Sequence, residues 1–234
     1  MTDTPVNHAP HIGTLAERSL HASLKDWYEQ PGDQREVKVD GFIIDLVRGD
    51  LLIEIQTRSF WSLKRKLARL TENHRVRLVH PIPAERWIVK YAADGETLIE
   101  RRKSPKKGYV EQIFSELVSF PDLIEREHFS LEVLLIREEQ IWCNDGQGSW
   151  RRKGWSVTDR RLLEVIYRVT FHAKEDFLAL VPETVLPEFT AKELASSIKQ
   201  PSYIASRMVY CLRNMGAIEQ VGKKGRAYLY ARCA

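Results

Sequence analysis

Residues Glu36–Thr57 read EVKVDGFIIDLVRGDLLIEIQT. Asp40-Gly41 and Gly49-Asp50 are two-residue hairpin signals. They divide the stretch into three predicted strands, Glu36–Val39, Phe42–Val47 and Leu51–Thr57. The turn lengths set a register. Arg48 pairs with Leu51 and Val39 with Phe42, which puts Asp45 opposite Glu54 and Glu36 opposite Asp45. Side chains directly opposite one another have Cβ atoms about 4.5–5.5 Å apart, and like charges there destabilise a sheet. Leu51, Leu52, Ile53 and Ile55 surround Glu54 with apolar groups. A row of acids in such a setting predicts a divalent cation, and hard oxygen ligands suit Mg2+ or Mn2+.

The flanks extend this pattern. Residues 13 to 29 have helical spacing, with Leu20, Leu24 and Trp27 on one face before Pro31-Gly32. Glu17 falls on that apolar face, where an acid caps, snorkels or points at the same cation. A basic helix is expected from Phe60 to Leu70, strands at Val76–His80 and Arg86–Ala92, and a turn at Asp94-Gly95 leading into TLIERR. A helix over 109 to 119 and a strand at Leu131–Ile136 follow. The Gly-rich, basic run Cys143–Trp155 marks a domain boundary, and a connecting helix is expected from Thr158 to Val169.

The last third has a different texture. Thr190 and Glu193 form a capping box. Ile204, Met208, Leu212 and Met215 line one face of a second helix that stops at Gly216. A hairpin around Gly222–Gly225 follows. Helix, turn, helix and basic hairpin is the order of a winged helix-turn-helix. In that fold the second helix enters the major groove and the wing touches the backbone. Ser202, Tyr203, Ser206, Arg207 and Arg213 on the helix, and Lys223, Lys224 and Arg226 on the wing, are the expected DNA contacts. The expected division is residues 1–145, a linker and helix over 146–180, and a winged helix over 181–234.

Bulk properties agree with a soluble nucleic-acid binder. The chain has 234 residues, 43% hydrophobic and 29% charged. No apolar run approaches the ~18 residues of a membrane span. No signal peptide is visible. Cys143, Cys211 and Cys233 form no CxxC pair, so neither structural zinc nor a disulfide framework is expected and a cytoplasmic setting is the default. The net charge of +4 is uneven. Residues 58–77 carry seven Lys or Arg against Glu72, and residues 199–232 carry seven against Glu219, a local +6 in each case. No Walker A loop, dinucleotide fingerprint or HExxH is present.

A helix with an inward Glu17, a meander carrying Asp45 and then Glu54, and a following basic helix together resemble the PD-(D/E)xK nuclease superfamily over residues 13 to 80. The resemblance implies an α+β, restriction endonuclease-like mixed sheet flanked by helices. It implies Mg2+ or Mn2+ on Asp45 and Glu54, with Glu17 as accessory ligand. The family's lysine, two residues after the Glu, is replaced by Gln56, which can orient a water or hold backbone through its amide but cannot carry charge. Lys64, on the next helix, and Lys38, in the cross-strand row of Ile43 and Gln56, are the candidates for the displaced lysine. Lys64 is preferred because superfamily lysines migrate to that helix. The expected function is a metal-dependent DNA endonuclease for phage defence, mobile-element processing or repair. It would act as a homodimer or in a larger nucleoprotein complex. The module order is also similar to that of the end-cleaving endonuclease subunit of some transposons. The competing expectation is a catalytically inactive, DNA-binding regulator or complex subunit on the same fold.

Overall fold

The computed structural model describes residues 18–148, 150–152 and 154–233. Helix α1 (Arg18–Tyr28) leads into the antiparallel meander β1 (Gln34–Val39), β2 (Phe42–Arg48) and β3 (Leu51–Ile55). The expected register holds at both turns: Val39 pairs with Phe42 and Arg48 with Leu51. A 3-10 turn at Phe60–Leu63 and helix α2 (Lys64–Leu70) then cross over to β4 (Arg75–Tyr91), which runs parallel to β3. β5 (Leu98–Lys103) folds back on the far half of β4. After the short helix α3 (Phe114–Leu117), β6 (Phe129–Cys143) joins parallel to β4, and β7 (Ser156–Phe171) antiparallel to β6. The strand order is β1-β2-β3-β4-β6-β7, a mixed sheet flanked by helices in an α+β chain.

Alternation along the strands sends apolar side chains to both faces. Leu20, Leu24 and Tyr28 of α1 pack on Leu46, Ile53, Ile55, Val79, Leu134 and Ile136. On the other face, Phe60, Leu63, Leu67 and Leu70 pack on Ile44, Leu52, Val76, Leu78, Leu131 and Val133. The meander is therefore clamped between α1 and α2, and acids on β2 and β3 are set between two helices.

Three expectations are corrected. The helix expected over Thr158–Val169 is the middle of strand β7. Its pairing with β6 jumps so that Leu162 meets Glu138 while Glu164 meets Arg137, and Val165 meets Ile136 while Tyr167 meets Leu135. Leu163 and Ile166 are the extra residues of two bulges three positions apart. Each bulge resets the alternation, and the pair produces the helix-like period that Leu162, Val165, Ile166 and Val169 display. The boundary expected at Cys143–Trp155 is the connection from β6 to β7 within one sheet, so residues 156–171 are neither linker nor connecting helix. The two strands expected at Val76–His80 and Arg86–Ala92 are a single β4 that passes through Pro81 and Pro83. Both prolines fall after the last β3 partner, Val79, and before the first β5 partner, Trp87. Their missing N–H groups face the stretch of edge where no strand would receive them.

The remaining elements are α4 (Lys174–Leu178), β8 (Glu188–Phe189), α5 (Ala191–Ser197), α6 (Ser202–Asn214), β9 (Ile218–Lys224) and β10 (Ala227–Arg232). The Thr190 capping box forms, with Glu193 N donating to Thr190 Oγ1 at 3.2 Å and Thr190 N to Glu193 Oε2 at 2.8 Å. Gly216 ends the α6 segment at φ +63°, a value that favours glycine. β8, β10 and β9 form a second sheet, and Lys224 pairs with Ala227 across Gly225-Arg226. This part shares the core of the large sheet. Phe177 stacks on Phe171 with ring centroids 4.2 Å apart and meets Phe114 edge-on at 5.8 Å.

Candidate functional site

Asp45 and Glu54 come just past the last ladder partners, Leu46 and Ile53, where β2 and β3 stop pairing. Asp45 compensates for the absent pairing itself. Its Oδ2 accepts the Ile55 N–H at 2.8 Å, and its Oδ1 lies 3.0 Å from His21 Nε2 and 3.8 Å from Lys25 Nζ, both on α1. Glu54, one position along β3, faces α2. Lys66 Nζ stands 2.6 Å from Glu54 Oε2 as an ion pair and donates to the Ile43 carbonyl at 2.6 Å. Oε2 is buried with no other partner among the described residues.

The two carboxyls are pushed apart. Burial raises Asp45, but hydrogen bonds from His21 and the Ile55 N–H, with the charge of Lys25, overcome it and hold the group below the usual carboxylate range. Glu54 is raised by burial and then by the negative charge of Asp45, and Lys66 does not offset them. Environments that separate the pKa values of neighbouring acids are typical of chemically active pairs.

The other buried acids behave differently. Glu138 is held between Arg86 Nε at 2.6 Å and Arg160 Nη2 at 2.8 Å. Glu132 takes the Tyr28 hydroxyl and lies 3.5 Å from Arg77. Each is held by an arginine, whereas Glu54 has the Lys66 ammonium and a pKa raised by burial.

A raised native pKa has a defined consequence for stability. The Glu54 contribution is full below its unfolded pKa and is lost as pH rises through the native value. Glu54→Gln is therefore expected to raise Tm near pH 7 in EDTA, with the advantage shrinking toward about pH 3, below the ordinary glutamate pKa of about 4.3. Thermal unfolding followed by circular dichroism at the two pH values checks this.

Several expected site residues lie elsewhere. Glu17 is outside the described residues. Glu36 holds the expected position opposite Asp45, but it is exposed and pairs with Lys25 Nζ at 2.8 Å. Lys38 pairs with Ile43 across β1 and β2 and is exposed. Lys64 is exposed on α2. The lysine that reaches Glu54 is Lys66. Gln56 does not face the acids with its amide. Its Nε2 donates to Ser59 O at 2.9 Å and sits 3.4 Å from Ser62 Oγ, while its backbone carbonyl lies 2.6 Å from Nδ1 of half-buried His80. Burial draws the His80 pKa down to about 4, so the neutral ring donates Nδ1–H to that carbonyl. His21 and Lys25 were missed, although Glu17, His21 and Lys25 recur every four residues beside the stripe of Leu20, Leu24 and Tyr28.

The donor set fits a divalent cation in part. Among the described residues no three His, Cys, Asp or Glu are grouped to hold a metal ion. Two carboxylates with water completing the shell are nevertheless a usual Mg2+ arrangement. A cation there would share Glu54 Oε2 with Lys66, 2.6 Å away, and would use the second lone pairs of Asp45. Two acids fit; a third protein ligand is not supplied by these residues.

The expected DNA contacts form a second surface. Ser202, Ser206 and Arg226 line a groove of about 430 Å³ with Lys192, Tyr228 and Tyr230. The Arg207 guanidinium lies 5.3 Å from the Tyr203 ring, and Lys223 Nζ lies 5.3 Å from the Tyr228 ring. Tyr203 and Arg213 are exposed. Lys224 is engaged instead with Glu193 at 2.6 Å.

Residues 18–172 match the family described as Domain of unknown function (DUF8091). The chain belongs to the DUF8091 family. The DUF8091 segment starts with α1 and ends one residue after β7, so it contains His21, Lys25, Asp45, Glu54 and Lys66. An uncharacterized protein of Treponema pallidum (strain Nichols) is 35% identical over 231 residues, 94% of this chain and 87% of that protein. The similarity thus runs beyond the DUF8091 segment into the elements from α4 to β10. No solved structure matches. No helix of the described residues is long and apolar enough to cross a membrane.

Proposed function

We propose that this DUF8091 protein is a metal-dependent DNA endonuclease of PD-(D/E)xK type, with the elements from α4 to β10 serving as a winged helix. The observation that carries the reading is the Asp45–Glu54 pair at the point where β2 and β3 separate, with Lys66 Nζ 2.6 Å from Glu54. The order of helix, three-stranded meander, crossover helix and parallel strand supports it. Asp45 and Glu54 would hold Mg2+ or Mn2+, which supplies polarisation of a phosphate and a water of lowered pKa. Asp45 is kept ionised by α1 and the Ile55 N–H, ready to accept a cation. Lys66 places an ammonium beside Glu54, the service that Gln56 cannot perform. Gln56 ties the loop after β3 and so holds the start of the helix that carries Lys66. Cleavage of supercoiled plasmid, linear duplex, single-stranded and branched DNA with Mg2+, Mn2+ or EDTA tests the reading.

A second reading has one observation in its favour. His21, Lys25 and Lys66 already set positive or hydrogen-bonding groups against both acids. A nuclease fold stabilised this way and binding DNA without cutting it would show duplex binding but no cleavage in any metal.

Both readings require the C-terminal surface to bind phosphates. Arg207→Ser with Lys223→Ser is expected to weaken duplex binding evenly across sequences. It should also reduce the slope of log K against log salt by about 2, since each phosphate that a cation no longer neutralises lowers it by about 0.9. Fluorescence anisotropy at several salt concentrations measures this. Lys224→Ser should change the slope less, because its ammonium is already paired with Glu193.

A further inference from the structure

The loop leaving β3 places a tryptophan in solvent. Gln56 anchors Ser59 through its carbonyl, and Ser59 Oγ accepts the Trp61 N–H at 3.4 Å. Phe60 turns inward, stacked on Phe120 and edge-on to His80, and is fully buried. Trp61, the next residue, turns outward and is 73% exposed. Leaving so large a ring in water forgoes burial energy that a core position would supply. Lys64 and Arg65, on the turn that follows, are exposed and form no ion pair among the described residues, whereas Lys66, Arg69, Arg75 and Arg77 are paired with Glu54, Glu72, Asp50 and Glu132. Ile43, whose carbonyl holds Lys66 Nζ, is 64% exposed. Exposed Trp61 thus comes just before two unpaired cations, Lys64 and Arg65, on the segment that carries the lysine reaching Glu54.

We propose that Trp61 is a stacking site for an unpaired base, with Lys64 and Arg65 holding the phosphates beside it. The nucleic acid presented to Asp45, Glu54 and Lys66 is then DNA with a single-stranded segment. The substrate assignment rests on the nuclease reading, but the stacking site is testable without cleavage. An exposed aromatic ring inside a positive surface suits single strands because every base offers a π face and the phosphates supply the charge. A continuous duplex keeps its bases stacked on each other and gives Trp61 nothing to cover.

The test uses the full chain in EDTA, where metal-dependent cutting cannot occur. Fluorescence anisotropy compares a labelled single-stranded oligonucleotide with a blunt duplex of the same length. Trp61→Ala should weaken single-strand binding on the order of 10-fold and leave duplex binding unchanged, while Trp61→Phe keeps most of the affinity. An oligonucleotide carrying 2-aminopurine should be quenched on binding the wild type and not on binding Trp61→Ala. Single-strand binding by Trp61→Ala equal to wild type, or equal weakening on both DNAs, overturns the proposal. Metal-dependent cleavage is read separately. Cutting without a Trp61 effect overturns the stacking site alone. A Trp61 effect without cutting overturns the nuclease reading and leaves the stacking site standing.

Discussion

Asp45→Asn is expected to reduce metal-dependent DNA cleavage by roughly 10³-fold, the rate equivalent of several kcal/mol of transition-state charge stabilisation. Asparagine is the informative replacement. Its side-chain oxygen can still accept the Ile55 N–H that Asp45 receives at 2.8 Å, so the junction of β2 and β3 is preserved. What disappears is the negative charge that a cation needs. Duplex binding should survive, since the groove between α5, α6 and the hairpin is built from other residues. Plasmid nicking measured beside anisotropy separates the two effects. Cleavage by Asp45→Asn at the wild-type rate would remove Asp45 from the chemistry.

The second large effect concerns the join between the big sheet and the C-terminal elements. Phe177 is fully buried, stacked on Phe171 at the end of β7 and edge-on to Phe114 of α3. Phe114 also receives α6, whose Cys211 Sγ lies 4.0 Å from the Phe114 carbonyl. Phe177→Ala would leave a cavity beside the rings of Phe171 and Phe114, from β7 and α3, and is expected to cost about 3–5 kcal/mol. Urea unfolding should show the midpoint falling in one transition, reported equally by the sheet and by α6. Two separated transitions in the wild type would mean that the C-terminal elements unfold on their own and that this core does not couple them.

The parts of the site carried by turns were legible in the sequence. Asp40-Gly41 and Gly49-Asp50 are short, specific signals, and they set the pairings of Val39 with Phe42 and Arg48 with Leu51, although the ladder ends at Leu46 and Ile53, before Asp45 and Glu54. Lys66 was not legible, because the segment before α2 winds as a 3-10 turn from Phe60 to Leu63. That tighter turn changes the helical phase, and it brings Lys66 to the sheet and leaves Lys64 in solvent. Gln56 was legible as a departure from the family pattern but not in its role, since its partners Ser59 and Ser62 belong to a loop with no period. Strand β7 was concealed by the bulges at Leu163 and Ile166, two of its three register shifts, which make a strand look helical to any count of apolar spacing. The prolines of β4 split one strand into two apparent ones for a related reason: the pattern shows a missing donor, while only the fold shows that no partner is present to miss it.

The proposed chemistry requires, before anything else, a divalent ion bound by Asp45 and Glu54. Mn2+ titration of the full chain, followed by the electron paramagnetic resonance signal of free Mn2+, reads that binding without DNA and without turnover. The wild type should remove about one equivalent of Mn2+ per chain, and Asp45→Asn and Glu54→Gln should each leave that equivalent free. If the wild type leaves Mn2+ free, or if both variants bind it as tightly as the wild type, Asp45 and Glu54 are not a metal site, and the contacts with His21, Lys25 and Lys66 are all that the pair supports.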